Sequence, residues 1–164
     1  GDHAAAETLF REATAGAPGV YALAAHADWL IERGRAAEAL ALLAPQGVEA
    51  DALLLRRAIA WRRLGDPRAA DDARTLQARF DAARQRGENL HQREEALLAL
   101  ELQGEPAKAL ALAEQNWARQ KEPADALLLA RAAHSAGRPQ AAQLLRDWAA
   151  ADVRIAALRK DARS

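Results

Sequence analysis

The feature that most constrains this chain is a stop-and-restart signal that returns at intervals. It reads LGDPRAADDA at 64–73, QGEPAKALAL at 103–112 and AGRPQAAQLL at 136–145, with a looser copy, RGRAAEALAL, at 33–42. Each copy sets a glycine before a run of strong helix formers. Glycine accepts the left-handed conformation that closes a helix without a Cβ clash. Asp66 is an N-capping residue type, able to offer its carboxylate to orphan amides. Proline suits the first helical position, where its missing N–H leaves no bond unmade. Each copy therefore predicts a tight helix–turn–helix.

Composition points the same way. Apolar residues make up 51%, chiefly alanine and leucine, and aromatics only 4%, a palette that favours helix over strand. The 164 residues suit one domain or one compact array; a chain near this size buries roughly 70% of its unfolded surface. Lysine plus arginine equals aspartate plus glutamate at 23 each, so charge gives no reason to expect nucleic acid or an anionic membrane. Cysteine is absent, which excludes disulfide and thiolate chemistry and leaves the redox compartment unreadable. No apolar run approaches the ~18 residues of a spanning helix, so membrane insertion is not expected. Methionine is absent too, and GDH at the start reads as a processing product or a vector remnant.

Alanine follows each stop glycine by five residues: Gly34 and Ala39, Gly65 and Ala70, Gly104 and Ala109, Gly137 and Ala142. A small residue there lets the second helix of a hairpin lie close to the first. The glycines are 31, 39 and 33 residues apart, and a two-helix unit of about 34 residues has the period of tetratricopeptide repeats. The chain resembles that family. Ala6, Phe10, Ala13 and Pro18 stand at the spacings of the second half of such a repeat. The chain is thus expected to begin mid-repeat, with 1–18 as that second half, inside one domain spanning 1–164. It departs from the pattern where Leu43, Arg74, Ala113 and Arg146 replace the second-helix aromatic. RFDAARQRGENLHQREEALLAL (79–100) and ALAEQNWARQKEPADALLLARAA (111–133) resemble a group of bacterial, usually exported repeat proteins without an assigned activity. The resemblance implies an all-α fold, a right-handed α-α superhelix of four to five antiparallel hairpins, and an exported or periplasmic location.

Helical periodicity predicts helices at about 3–15, 20–33, 35–44, 49–64, 66–86, 88–103, 105–120, 123–136, 138–150 and 152–161. The last mixes Val153, Ile155 and Leu158 with Arg154, Arg159 and Lys160, which suits a helix that caps the final core layer. The fifth is long and charged, and is expected to overhang its neighbours with its charges paired along its own solvated face.

Candidate chemistry is sparse. No glycine-rich phosphate loop is present. Ser135 and Ser164 are the only serines, and Ser135 directly follows His134, which turns the two side chains ~100° apart on a helix. HQREE (91–95) comes nearest to a metal motif, but Glu95 stands where the inverted zinc-peptidase pattern needs histidine. His3, His26 and His134 lie on other helices, so the expectation is a helix-start polar network of His91, Arg93, Glu94 and Glu95, with no metal and no cofactor. Trp29, Trp61, Trp117 and Trp148 are spread along the chain and read as interhelical packing. RRAIAWRR (56–63) reads as solvated arginines near Glu49, Asp51 and Asp66.

The function that follows is noncatalytic: a scaffold that binds a protein or peptide on its concave face. The first helix of each hairpin would line that face with Asp28, Glu32, Arg62, Arg63, Glu94, Glu101, Arg131 and His134, interleaved with Ile31, Leu55, Ile59, Leu98, Leu102, Leu127 and Ser135. Its mixed charges suit an amphipathic or extended segment of mixed charge. Two alternatives remain: a structural segment packed against the rest of a larger protein, and a metal-dependent enzyme centred on His91.

Overall fold

The computed structural model describes residues 3–46, 49–88, 91–139, 143 and 146. Their helices are α1 (His3–Ala13), α2 (Val20–Glu32), α3 (Ala36–Leu43), α4 (Asp51–Arg63), α5 (Arg68–Gln85), α6 (Gln92–Leu98), α7 (Pro106–Arg119) and α8 (Pro123–Ser135). A π-helical turn, Ala99–Gln103, continues α6. No strand occurs among the described residues, so the all-α expectation holds. Ala142, Trp148 and the capping helix at 152–161 lie outside them.

The chain divides into two compact units, Gly1–Asn89 and Leu90–Ser164. In the first, α2 packs on α3 and α4, and α4 packs on α3 and α5. In the second, α7 packs on α6 and α8, and α6 also touches α8.

The stop glycines work as the sequence implies. Gly34, Gly65, Gly104 and Gly137 all have positive φ, and Gly87 joins them. At Gly65 the Asp66 N–H reaches the Trp61 carbonyl at 2.9 Å, and the Gly65 N–H reaches that of Arg62 at 3.1 Å. This pairing of a long and a short backbone bond is a Schellman closure. The same pair recurs after α2, α5 and α8, where Arg35, Glu88 and Arg138 donate to Leu30, Ala83 and Ala133. Gly104 differs. Glu105 N–H reaches back six residues to the Ala99 carbonyl, at 3.0 Å, because the preceding turn is π-helical and holds one extra residue.

The hairpin alanines are half as expected. Ala39 and Ala109 are fully buried, but Ala70 is exposed and Ala69 takes the inner position. The cause lies in the first turn of α5. Ala69 and Ala70 donate to the carbonyls of Asp66 and Pro67, three residues back. Such i→i−3 bonds tighten the start of the helix and turn it by more than 100° per residue, which moves its inward face towards the preceding position. Pro67 accordingly stands one residue before the helix rather than inside it. Asp66 stands one position before the N-cap Pro67 and accepts the Arg68 backbone N–H at 2.9 Å. The Arg68 guanidinium beside it holds the Asp66 carboxyl down to about 2.

The fifth helix does not stand bare. Its Phe80 is 1% exposed and Ala83 is buried as well, so its extra length is covered almost to the end. Alanine fills 14 of the 29 buried apolar positions among the described residues, and helix backbones can therefore approach closely. Replacing Ala39 or Ala109 with leucine should overpack a contact and cost ~1–3 kcal/mol. Ala70→Leu should stay within about 0.5 kcal/mol, as surface substitutions do. Urea-unfolding midpoints of the variants check this ordering.

Candidate partner-binding face

In the first unit the proposed lining separates into core, internal pairs and surface. Ile31, Leu55 and Ile59 are buried, since α2 and α4 press these faces on each other and on their hairpin partners. They belong to the core and not to a groove. Asp28 is half-buried and engaged: it takes a bidentate grip from Arg56, with Nε–Oδ1 at 3.0 Å and Nη2–Oδ2 at 2.8 Å. Glu32, Arg62 and Arg63 are exposed.

The arginines of RRAIAWRR are therefore not all solvated. Arg56 is only 5% exposed, and a guanidinium that deep is tolerable only when paired. Arg57 makes a second fork, to Asp72 of α5, at 2.8 and 2.7 Å. That partner raises the Arg57 pKa above its ordinary value. Arg79 of α5 reaches Asp51 of α4 at 2.7 Å. Asp71–Arg74 and Asp81–Arg84 pair along the α5 surface in the expected way.

In the second unit Leu98 is also core. Glu101 and Arg131 form an ion pair with each other, so α8 is tied to the π turn. Glu94 is half-buried, while Leu127, His134 and Ser135 are exposed. The deepest polar group here is one the sequence reading did not single out. Asp125 is 1% exposed. Its Oδ1 accepts from Arg93 Nε at 2.6 Å and from Asn116 Nδ2 at 2.7 Å, and its Oδ2 from the Glu122 N–H at 3.0 Å. Arg93 also reaches Glu122 at 2.7 Å. Burial works against the Arg93 charge, but the bonds to Asp125 and Glu122 outweigh it and raise its pKa. One buried carboxylate thus joins α6, α7 and α8.

This arrangement redirects HQREE. His91 sits just before α6, where its carbonyl accepts the Glu95 N–H at 2.9 Å. Arg93 is committed to Asp125 and Glu122 and serves the helix junction. Among the described residues, no group of histidine and carboxylate side chains is placed to hold a metal ion, and no helix is long and apolar enough to cross a membrane.

The three described tryptophans each have their own surroundings. Trp117 is core. Trp61 lies under the Arg68 guanidinium, 3.5 Å from its ring centroid. Trp29 belongs to a cluster with Phe10 and His26, at 5.5 and 6.1 Å between centroids, flanked by Arg33 and Arg35 at 4.7 and 5.3 Å. The chain matches no protein-family model, no curated protein and no solved structure.

Removing the carboxylate with Asp125→Ala would leave the buried Asn116 amide without its acceptor and Arg93 with Glu122 alone, and should cost ~3–5 kcal/mol. Arg74→Ala on the α5 surface should cost no more than ~0.5 kcal/mol. Chemical denaturation of both variants measures the difference.

Proposed function

We propose that this chain is a noncatalytic scaffold of the tetratricopeptide-repeat type, its hairpins stacked as a right-handed α-α superhelix. It binds a protein segment of mixed charge along the first helices of its hairpins. The observation that carries this reading is the division of labour on those helices. Their apolar positions and several of their charges are spent internally, in the Asp28–Arg56 and Glu101–Arg131 pairs. In the first unit Glu32 at the end of α2 and Arg62 and Arg63 at the end of α4 stay exposed, and in the second unit Leu127 and His134 of α8 do. Two arginines and a carboxylate in the first unit, and an imidazole and a leucine in the second, each suit a stretch of a segment that mixes charge with apolar side chains. Supporting the repeat type are the recurring glycine closure and the buried alanines at Ala39 and Ala109.

A photo-activatable residue at position 62 or 134 should cross-link a protein partner in cells. One at position 74, on the outer surface of α5, should not. With that partner purified, the double variant Arg62→Glu, Arg63→Glu should weaken binding at least tenfold, equivalent to about 1.4 kcal/mol. Equal cross-linking from positions 62 and 74, or unchanged affinity in the double variant, would refute the proposal.

A further inference from the structure

α1 is held differently from every other described helix. It contributes no buried residue, and four side chains of α1 and the residue after it link it to the rest of its unit as follows. Phe10 stacks on His26 of α2, with centroids 5.1 Å apart and planes 11° from parallel. Thr14, just past the end of α1, meets His26 Nδ1 at 3.0 Å. Glu7 pairs with Arg35 at 3.0 Å. His3 Nδ1 meets Arg33 Nη2 at 2.7 Å. Three of these four links run through an imidazole.

The hydrogen bonds fix what each imidazole does. The Thr14 hydroxyl has one proton, and its 2.7 Å contact with the Phe10 carbonyl uses it. Oγ1 is therefore the acceptor for His26, whose Nδ1 carries the hydrogen. A second proton can enter only at Nε2, which turns a ring that is 6% exposed into a cation. Burial disfavours that cation, and the charges of Arg35 and Arg11 add to the effect, with Glu7 opposing them; together they hold the His26 pKa below its ordinary value. From α4, Arg56 and Arg57 are turned away towards Asp28 and Asp72. At His3 the guanidinium of Arg33 can only donate, so Nδ1 must be a bare acceptor.

We infer that α1 is a proton-released clasp, docked on α2 while the His26 ring is neutral and detached when it is protonated. The sign follows from linkage. His26 binds a proton more weakly with α1 docked than in an open, solvated site, so docking is strongest above ~pH 6.5, the ordinary histidine value. It weakens as pH falls from there through the depressed docked value, by up to about tenfold per pH unit for each proton taken up. Glu7, whose carboxyl Arg35 holds below the usual range, keeps its charge through this interval and does not drive the change.

Hydrogen exchange of the intact chain tests the clasp. Between ~pH 7.5 and ~pH 5, the range in which histidine changes charge, α1 amides should lose at least tenfold in protection after correction for intrinsic rates. The α4 amides should keep theirs. His26→Phe retains the stack on Phe10 without a titrating group, and should keep α1 protected at both ends of the range. Unchanged α1 protection in the parent chain would overturn the inference. So would a His26→Phe variant that opens with the same midpoint, or a His3→Gln variant that abolishes the transition altogether. Should His26→Phe fail to fold, NMR of the parent chain decides: the His26 ring and the α1 amides must shift with one midpoint, and separate midpoints overturn the clasp.

Discussion

A helix that must end and send the chain back within two or three residues needs one position at positive φ, where any side chain would meet its own backbone. In this protein glycine fills that position after α2, α4, α5 and α8, and the same two backbone bonds close each helix. The closure satisfies carbonyls that would otherwise be left open at the helix end. It also fixes the direction in which the next helix departs. Every packing contact between hairpin partners starts from that direction, and no Cβ-bearing residue could replace the glycine without strain.

The interior that results is built on small side chains and a few buried charges. Alanine lets the helices come close but confers little shape, and an alanine-rich interface has many nearly equivalent ways to slide. The charged forks remove that freedom. Arg56 can reach both oxygens of Asp28 only with α2 and α4 in one relative position. Asp125 satisfies Arg93, Asn116 and a backbone amide only when α6, α7 and α8 meet as they do. Buried pairs of this kind add little net stability compared with apolar residues of the same volume, but they are costly to break. Their value here lies in selecting one arrangement among many close ones.

Much of the fold could be read from residues close in sequence. Helix ends were set by Gly34, Gly65 and Gly104 and by Pro106 and Pro123, all local signals. Ala70 misled because the phase of α5 depends on whether its first turn is 3₁₀ or α, and Asp-Pro gives no warning of that. The ion pairs stayed hidden because their partners are far apart in the chain. A regularity was nevertheless available: Glu7 and Arg35, Asp28 and Arg56, and Asp51 and Arg79 are each separated by 28 residues. A search for opposite charges at a fixed interval would have found all three. For the candidate face, the sequence could place residues on the first helices. It could not tell which would be used up internally, so Asp28, Glu101 and Arg131 read as surface while Ile31, Leu55, Ile59 and Leu98 read as groove.

The π-helical turn before Gly104 changes how the spacing between turns should be viewed. A residue added to a regular helix rotates everything after it by ~100° and would swing a buried face into water. The looser turn at Ala99–Gln103 takes up one residue as a local bulge, with Ala99 still in the core and Glu101 still able to meet Arg131. A fold with such a joint can lose or gain a residue between turns without being rebuilt. The bulge takes up one residue of the 39 between Gly65 and Gly104, the 18-residue α5 takes up more, and a single insertion or deletion at such a joint becomes a tolerable form of variation.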